Sequence, residues 1–415
     1  MKAEIITIGD ELLLGQVIDT NSSWLGQQLN HLGIQVHYKS ALPDAREAIL
    51  DGLKQAKERS NIIIITGGLG PTKDDITKLT LCDFFQTRLV QNEEVLEWVT
   101  SIFKMRNLPM LESNNLQAML PENCKVLWNR NGTAPGMWFF EDGKVFISMP
   151  GVPFEMKTIF EEEAIPLLKE TFVFPSIIHR TILTSCIGES FLANKIAPIE
   201  DALPSHIKLA YLPSVGMVRL RFSAYGENTT QLNLELQPII EALYESIGTY
   251  IFGEGEDKLS QVVGMLLKGK GLTLGSAESC TGGYISHMIT LNAGSSAYYK
   301  GAIISYSNEI KINQLRVEPK IIETHGAVSE ACVKAMAEGA RLVLNTDYAI
   351  AASGIAGPDG GTKEKPVGTV WIAVSTPYQT VTKQLNLGDN RERTIQRTAI
   401  QALDTLRKIL LEEIE

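Results

Sequence analysis

The chain has 415 residues, too many for one ordinary hydrophobic core, and its 44% hydrophobic and 21% charged residues describe a folded globular protein of two or three domains. A formal net charge of -10 argues against nucleic acid as a partner, because such binding depends on surplus Lys and Arg neutralising phosphates. No apolar run reaches the roughly 18 to 20 residues of a membrane helix, and the N-terminus enters a strand pattern rather than a cleavable leader, so no membrane association and a cytoplasmic location are expected.

The first region alternates strand and helix patterns. Ala3 to Ile8 reads as a strand, followed by a helix whose Leu25, Leu29 and Leu32 share one face behind the capping candidates Asn21 and Ser22. A second strand over Ile34 to Leu42, a helix over Ala45 to Lys57 and the β-branched run Ile62 to Ile65 complete a βαβαβ pattern, hence a parallel sheet covered by helices. After Phe174-Pro175 the rhythm changes to a small α+β module. Its strands are expected at Ile177 to Ser185, Ile207 to Leu212, Met217 to Tyr225 and Tyr250 to Phe252. Its helices are expected at Glu189 to Ala202 and through Leu232, Leu236, Ile240, Leu243 and Ile247. Gly253 to Glu256 reads as a linker. The last region starts with a helix over Leu259 to Leu267 and continues with strands at Leu272 to Ala277, Gly301 to Tyr306, Tyr348 to Ser353 and Thr369 to Val374. A long helix through Ile395, Ala399, Leu403, Leu406 and Leu410 closes it. The fold class is therefore α/β in three domains, 1–172, 173–254 and 255–415. Five cysteines, Cys82, Cys124, Cys186, Cys280 and Cys332, are scattered without a C-x-x-C pair, which indicates neither a zinc site nor a disulfide framework.

Two segments carry chemistry. The first, Thr66-Gly67-Gly68-Leu69-Gly70-Pro71-Thr72-Lys73-Asp74-Asp75, follows a strand and precedes a helical pattern through Ile76, Leu79 and Phe84. Glycines there let backbone N–H groups approach an anion, so Gly67, Gly68, Gly70 and Thr72 are expected to cradle phosphate. Its spacing is neither a P-loop nor a dinucleotide fingerprint. Asp74 and Asp75 read either as helix-start caps or, with Asp10 after the first strand, as ligands of a divalent metal (Mg, Mn or Co). The turns at Asn131 to Gly136 and Met149 to Pro153 complete the pocket or are plain turns.

The second segment is Ala277-Glu278-Ser279-Cys280-Thr281-Gly282-Gly283, a sharp turn after a strand and before a helix through Ile285, Met288 and Ile289. Ser279 is placed there as a nucleophile, with nearby N–H groups available to an oxyanion. Neither G-x-S-x-G nor S-x-x-K is present, so the base comes from elsewhere: His287, His325, or Lys311, whose pKa partial burial would lower enough for the neutral amine to act as a base. Cys280 is the rival nucleophile, since a thiol at a helix N-terminus has a lowered pKa.

These residues carry a resemblance. Ile8 to Leu12, Thr66 to Asp75, Asn131 to Gly136 and Met149 to Pro153 together resemble the CinA family, the competence/damage-inducible proteins, whose N-terminal domain resembles molybdopterin-binding domains. The resemblance implies a metal-dependent pyrophosphatase acting on ADP-ribose, with molybdopterin binding as the older label for the same pocket. Ala277 to Gly283, Tyr306 to Glu309, Gly326 to Glu330, Ser353 to Gly361 and Lys365 to Trp371 resemble the nicotinamide-nucleotide amidohydrolase family. That resemblance implies a dyad of Ser279 and Lys311 with Tyr306 beside it, acting without a cofactor on nicotinamide mononucleotide. Substrate would lie against Thr281, Gly282, Gly283, Gly354, Ala356 and Gly357. Gly388 to Arg393 resembles the family's G-D-R segment with Asn390 interposed, making Arg391 the phosphate ligand and Arg397 the reserve. The middle module resembles a KH-type fold but lacks the G-x-x-G clamp, so it reads as a spacer or dimerisation element, in a protein expected to be a homodimer. The alternatives are a molybdopterin- or other ligand-binding protein without N-terminal chemistry, and a competence-linked scaffold.

Overall fold

A computed structural model describes residues 1–72, 75–105, 107–109 and 112–412. Met1–Ile178 with Tyr225–Thr229 pack as one compact unit, and His179–Ala224 with Thr230–Glu415 as a second.

In the first unit, strands β1 (Lys2–Ile8), β2 (Gln35–Leu42) and β3 (Ile62–Thr66) pair in parallel, with β1 in the middle. The three-residue strands β4 (Leu89–Gln91) and β5 (Met119–Pro121) form a separate antiparallel ribbon. The main sheet then grows beyond the expected three strands by β6 (Lys125–Leu127), β7 (Gly136–Glu141) and β8 (Lys144–Met149), giving the order β2-β1-β3-β8-β7-β6. β8 is parallel to β3, and β7 and β6 continue antiparallel. Every residue of β3 is buried, which explains its unbroken β-branched run: helices cover both faces of the sheet at its centre.

The helix Thr20–His31 is capped by Asp19, whose carboxylate accepts from Ser22 N at 2.9 Å, and not by Asn21 or Ser22 as the sequence suggested. Asn21 instead donates to Gly151 O at 2.7 Å, tying this helix to the turn after β8.

The middle module, most of which belongs to the second unit, has the expected β-α-β-β-α-β order. Its strands are β9 (Ser176–Ser185), β10 (Ile207–Ser214), β11 (Met217–Gly226) and β12 (Ile251–Glu254), arranged β10-β11-β9-β12. The expected linker is shorter than its composition implied, because Gly253 and Glu254 pair with Leu183 and Ile182 of β9 and Gly255 N donates to Thr181 O at 2.8 Å.

The last region forms the sheet β14-β13-β15-β16-β17 from β13 (Leu274–Glu278), β14 (Tyr299–Ile304), β15 (Tyr348–Gly354), β16 (Thr369–Ser375) and β17 (Thr380–Asn386). Its first three strands are parallel and its last two antiparallel. One face packs on the helices Leu259–Gly269, Tyr284–Thr290 and Arg391–Leu410, and the other on Glu330–Val343.

The middle module is fastened to this region by buried charge. Asp404, 2% exposed, accepts from Ser185 Oγ of β9 at 2.9 Å, from Arg407 Nε at 3.0 Å and from Lys408 Nζ at 3.1 Å, while Arg407 also donates to Thr249 O at 2.8 Å. Removing one member of such a cluster strands the other charges in the core. Asp404→Ala therefore destabilises the protein by about 3–5 kcal/mol, measured by denaturant unfolding.

Candidate active site

The first three strands of the last sheet end together, and the candidate catalytic groups stand just beyond their carboxyl ends, where ligand sites gather in open α/β sheets. Ser279 follows β13, and its N–H donates to Ala352 O of β15 at 2.9 Å. Gly282 and Gly283, at φ 58° and 101°, turn the chain into the helix Tyr284–Thr290, a backbone that side chains with a Cβ adopt only at a cost. After β14, Ser307 caps the helix Asn308–Leu315, accepting from Ile310 N at 3.2 Å, and that helix carries Lys311 inward.

Lys311 is 1% exposed, and its Nζ lies 3.1 Å from Ser279 Oγ and 2.8 Å from Ser305 O. Among the described residues no carboxylate pairs with it. Burial lowers its pKa from the usual lysine value, with the nearby Cys332 and Cys280 opposing that shift. Of the three candidate partners it is Lys311 that touches Ser279; among the described residues no hydrogen bond joins the ring of His287 or His325 to its hydroxyl.

Cys280 differs from the expectation of an activated thiol. It precedes the helix by a full turn of loop and is 6% exposed, within the core that contains Ile285 and Ile289, so burial pushes its thiol up to about 12. Its backbone is more useful. Among the described residues no backbone oxygen accepts the N–H of Cys280 or Thr281, the two residues that follow Ser279.

Tyr306 is 62% exposed, and its hydroxyl accepts from Arg391 Nη2 at 3.0 Å, while Arg391 Nη1 donates to Gly357 O at 2.8 Å. These contacts bring together three expected site residues. The interposed Asn390 caps the helix Arg391–Leu410, accepting from Arg393 N at 3.0 Å, and so sets Arg391 on its first turn. Arg397 lies two turns further along that helix. Of the expected loop residues, Ala356 is buried in the core, and Gly354 is in close packing with Val370, where a Cβ would come within 2.5 Å of Cγ2. Thr281 is buried, its hydroxyl donating to Glu278. The sequence reading passed over Glu278 as a site residue, although it stands inside the quoted motif: it is fully buried and accepts from the backbone of the nucleophile turn.

In the first unit a cavity of about 410 Å³ opens beside the glycine loop, lined among others by Gly67, Gly68, Gly70, Glu11, Asp44 and Asp75. A Cβ on Gly67 would sit 2.1 Å from Ile8 O, so only glycine permits this approach of β3's end to β1's. Thr72 turns away from phosphate duty, giving its N–H to Asp75 Oδ2 at 2.9 Å and its hydroxyl at 2.5 Å. Asp10 Oδ1 accepts from Asp44 N at 3.3 Å, and Asp10 N donates to Asp44 Oδ2 at 3.1 Å, so Asp44 is the carboxylate this pair presents to the cavity. Burial raises its pKa; the N–H of Asp10 opposes the rise, and the charges of Asp10, Glu11 and Asp75 add to it. Asp74 lies outside the described residues. Among those described, no three His, Cys, Asp or Glu side chains are arranged to hold a metal ion, although the excess of carboxylate at the mouth suits a cation completed by ligand oxygens and water. Sequence reasoning also missed Lys78, whose buried Nζ, its pKa lowered to about 8, donates to the carbonyls of Leu116, Gln117 and Met119 and fixes Gln117 against the cavity. No helix among the described residues is long and apolar enough to cross a membrane.

Three family models match the chain: "CinA C-terminal domain" over residues 256–410, "Probable molybdopterin binding domain" over 4–170 and "Damage-inducible protein CinA KH domain" over 179–253. A CinA-like protein of Cytophaga hutchinsonii is 49% identical over 99% of this chain and 98% of its own length. Another, of Flavobacterium psychrophilum, is 46% identical over 99% of each. Among solved structures, the competence/damage inducible protein CihA of Agrobacterium tumefaciens is 35% identical, covering 37% of this chain and 93% of that one at a TM-score of 0.36. The CinA of Thermoplasma acidophilum, described as of unknown function, is 30% identical, covering 41% of this chain and 98% of that one at 0.37.

Proposed function

The chain belongs to the CinA family, and from that premise we propose that its C-terminal domain hydrolyses the carboxamide of nicotinamide mononucleotide to nicotinic acid mononucleotide and ammonia. The observation that carries this reading is the 3.1 Å contact of Ser279 Oγ with a buried Lys311 that has no carboxylate partner among the described residues. As a neutral amine, Lys311 takes the proton of Ser279 as Oγ attacks the amide carbon. The oxyanion is held by the N–H groups of Cys280 and Thr281, and the proton passes from Lys311 to the departing nitrogen, which leaves as ammonia. Water then hydrolyses the acyl ester on Ser279. Arg391, steadied by Gly357 and Tyr306, supplies the positive charge for the substrate phosphate. The test is ammonia release from nicotinamide mononucleotide by the full chain; a wild type that releases none overturns the reading.

For the N-terminal domain the reading is a divalent-metal-dependent pyrophosphatase acting on ADP-ribose, supported by the glycine-lined cavity and the carboxylates Glu11, Asp44 and Asp75 that line it, with Asp10 behind Asp44. A second reading, a molybdopterin- or other ligand-binding pocket without chemistry, is favoured by the engagement of Asp75 Oδ2, which accepts from both the N–H and the hydroxyl of Thr72. The expected result is cleavage of ADP-ribose that requires added metal and falls roughly 100-fold or more in Asp75→Ala, followed by product chromatography. Binding of ADP-ribose without cleavage at any metal concentration would select the second reading. A homodimer and a role in pyridine-nucleotide recycling belong to the same proposal.

A further inference from the structure

The carboxylate beside the nucleophile does more than end a strand. Glu278 is the last residue of β13, is 0% exposed, and has no cationic partner among the described residues. Its two oxygens are instead saturated by the turn that follows. Oε2 accepts from Thr281 Oγ1 at 2.7 Å, Gly283 N at 3.0 Å and Ile285 N at 3.1 Å. Oε1 accepts from Ser286 N at 2.9 Å and from Ser286 Oγ at 2.5 Å. Ser286 Oγ in turn lies 2.8 Å from Tyr299 Oη, and Tyr299 Oη lies 2.6 Å from Ser276 Oγ, which closes the network on β13 and β14. The turn from Ser279 to Gly283 thus wraps around one fixed anion. The N–H groups of Gly283, Ile285 and Ser286 are drawn to Glu278, while among the described residues those of Cys280 and Thr281 are given to no backbone oxygen.

We propose that Glu278 is a positioning residue for acyl transfer: by gathering the donors of the turn on its inner side, it holds the Cys280 and Thr281 N–H groups at the oxyanion without touching substrate. The proposal rests on the amidohydrolase reading above for its reaction, but not for its geometry. A misplaced oxyanion donor costs transition-state stabilisation and leaves ground-state binding alone, so its signature is in kcat.

The test compares wild type, Glu278→Gln and Glu278→Asp in the full chain. In Glu278→Gln one oxygen becomes an NH2 that faces N–H donors. The expected result is a kcat lower by roughly 10- to 100-fold, KM within about twofold, and a melting temperature that does not track the loss. Glu278→Asp keeps both acceptors on a shorter arm and is expected to recover part of kcat. A kcat within about twofold of wild type in a folded Glu278→Gln overturns the proposal, as does a loss of kcat and KM together in step with melting. Should Glu278→Gln not fold, Ser286→Ala, which removes one donor and leaves the carboxylate, decides the matter: an unchanged kcat overturns the proposal and a several-fold lower kcat at constant KM supports it. Labelling of Ser279 by a fluorophosphonate, which also builds charge on an oxygen in the oxyanion position, separates the two readings. If wild type is labelled but releases no ammonia from nicotinamide mononucleotide, the substrate reading fails, and slower labelling in Glu278→Gln still supports the positioning role. Equal labelling rates overturn it.

Discussion

Replacing Ser279 with alanine lowers ammonia release from nicotinamide mononucleotide by about 10⁴-fold or more, the scale of loss when the nucleophile is taken from groups that act as a unit. The fold survives, because Lys311 keeps its contact with Ser305 O and the turn remains pinned by Glu278. Cys280→Ala retains the backbone N–H and removes a thiol that is buried and protonated at neutral pH, so its activity stays within about tenfold of wild type, the loss being one of packing. Rates for the two variants, with mass spectrometry of the trapped acyl-enzyme, decide the assignment. A Ser279→Ala enzyme that works beside a dead Cys280→Ala enzyme would transfer the role to the thiol.

The sequence made this turn visible because its residue types are local: a strand, a polar residue and two glycines in succession need no tertiary knowledge to be read. Lys311 was harder. On its helix it sits among Asn308, Glu309, Asn313 and Gln314, a polar composition that by itself describes a surface, and only the family resemblance turned it inward. The central strand β3 was legible because burial on both faces leaves an uninterrupted apolar run, whereas β17, Thr-Val-Thr-Lys-Gln-Leu-Asn, is an edge strand whose polar residues hide it. The hairpin of β7 and β8 went unread although its signal is present. Asp142-Gly143, at φ 53° and 73°, is the two-residue turn that joins strands of matching twist, with Glu141 paired to Lys144 across it. Glu278 illustrates the opposite limit. A glutamate beside a serine reads as ordinary polarity, and its importance lies in the donors that converge on it from residues five to eight places along the chain.

Lys311 gives the prediction that best separates catalysis from structure. Its pKa in the fold lies below the usual lysine value because burial penalises the ammonium. Between that lowered value and the ordinary 10.5 of an unfolded chain, the unfolded state binds the extra proton, so this residue's contribution to stability becomes more favourable as pH rises through that window. Below the lowered value both states are charged and the whole cost of burying the ammonium is present. Lys311→Met, similar in length and uncharged, relieves that cost while losing the contact with Ser305 O. Its melting temperature at neutral pH therefore holds or rises, and its ammonia release falls by about 10³-fold or more. In the wild type only the neutral amine accepts the Ser279 proton, so kcat/KM climbs tenfold per pH unit on its acid side and levels off at a pH below 10.5. Lys311→Arg places a permanent cation at the same point and is expected to be inactive at every pH. An unchanged pH profile in Lys311→Met, or a Lys311→Arg enzyme with wild-type rates, would show that the amine only fills space and that another group takes the proton.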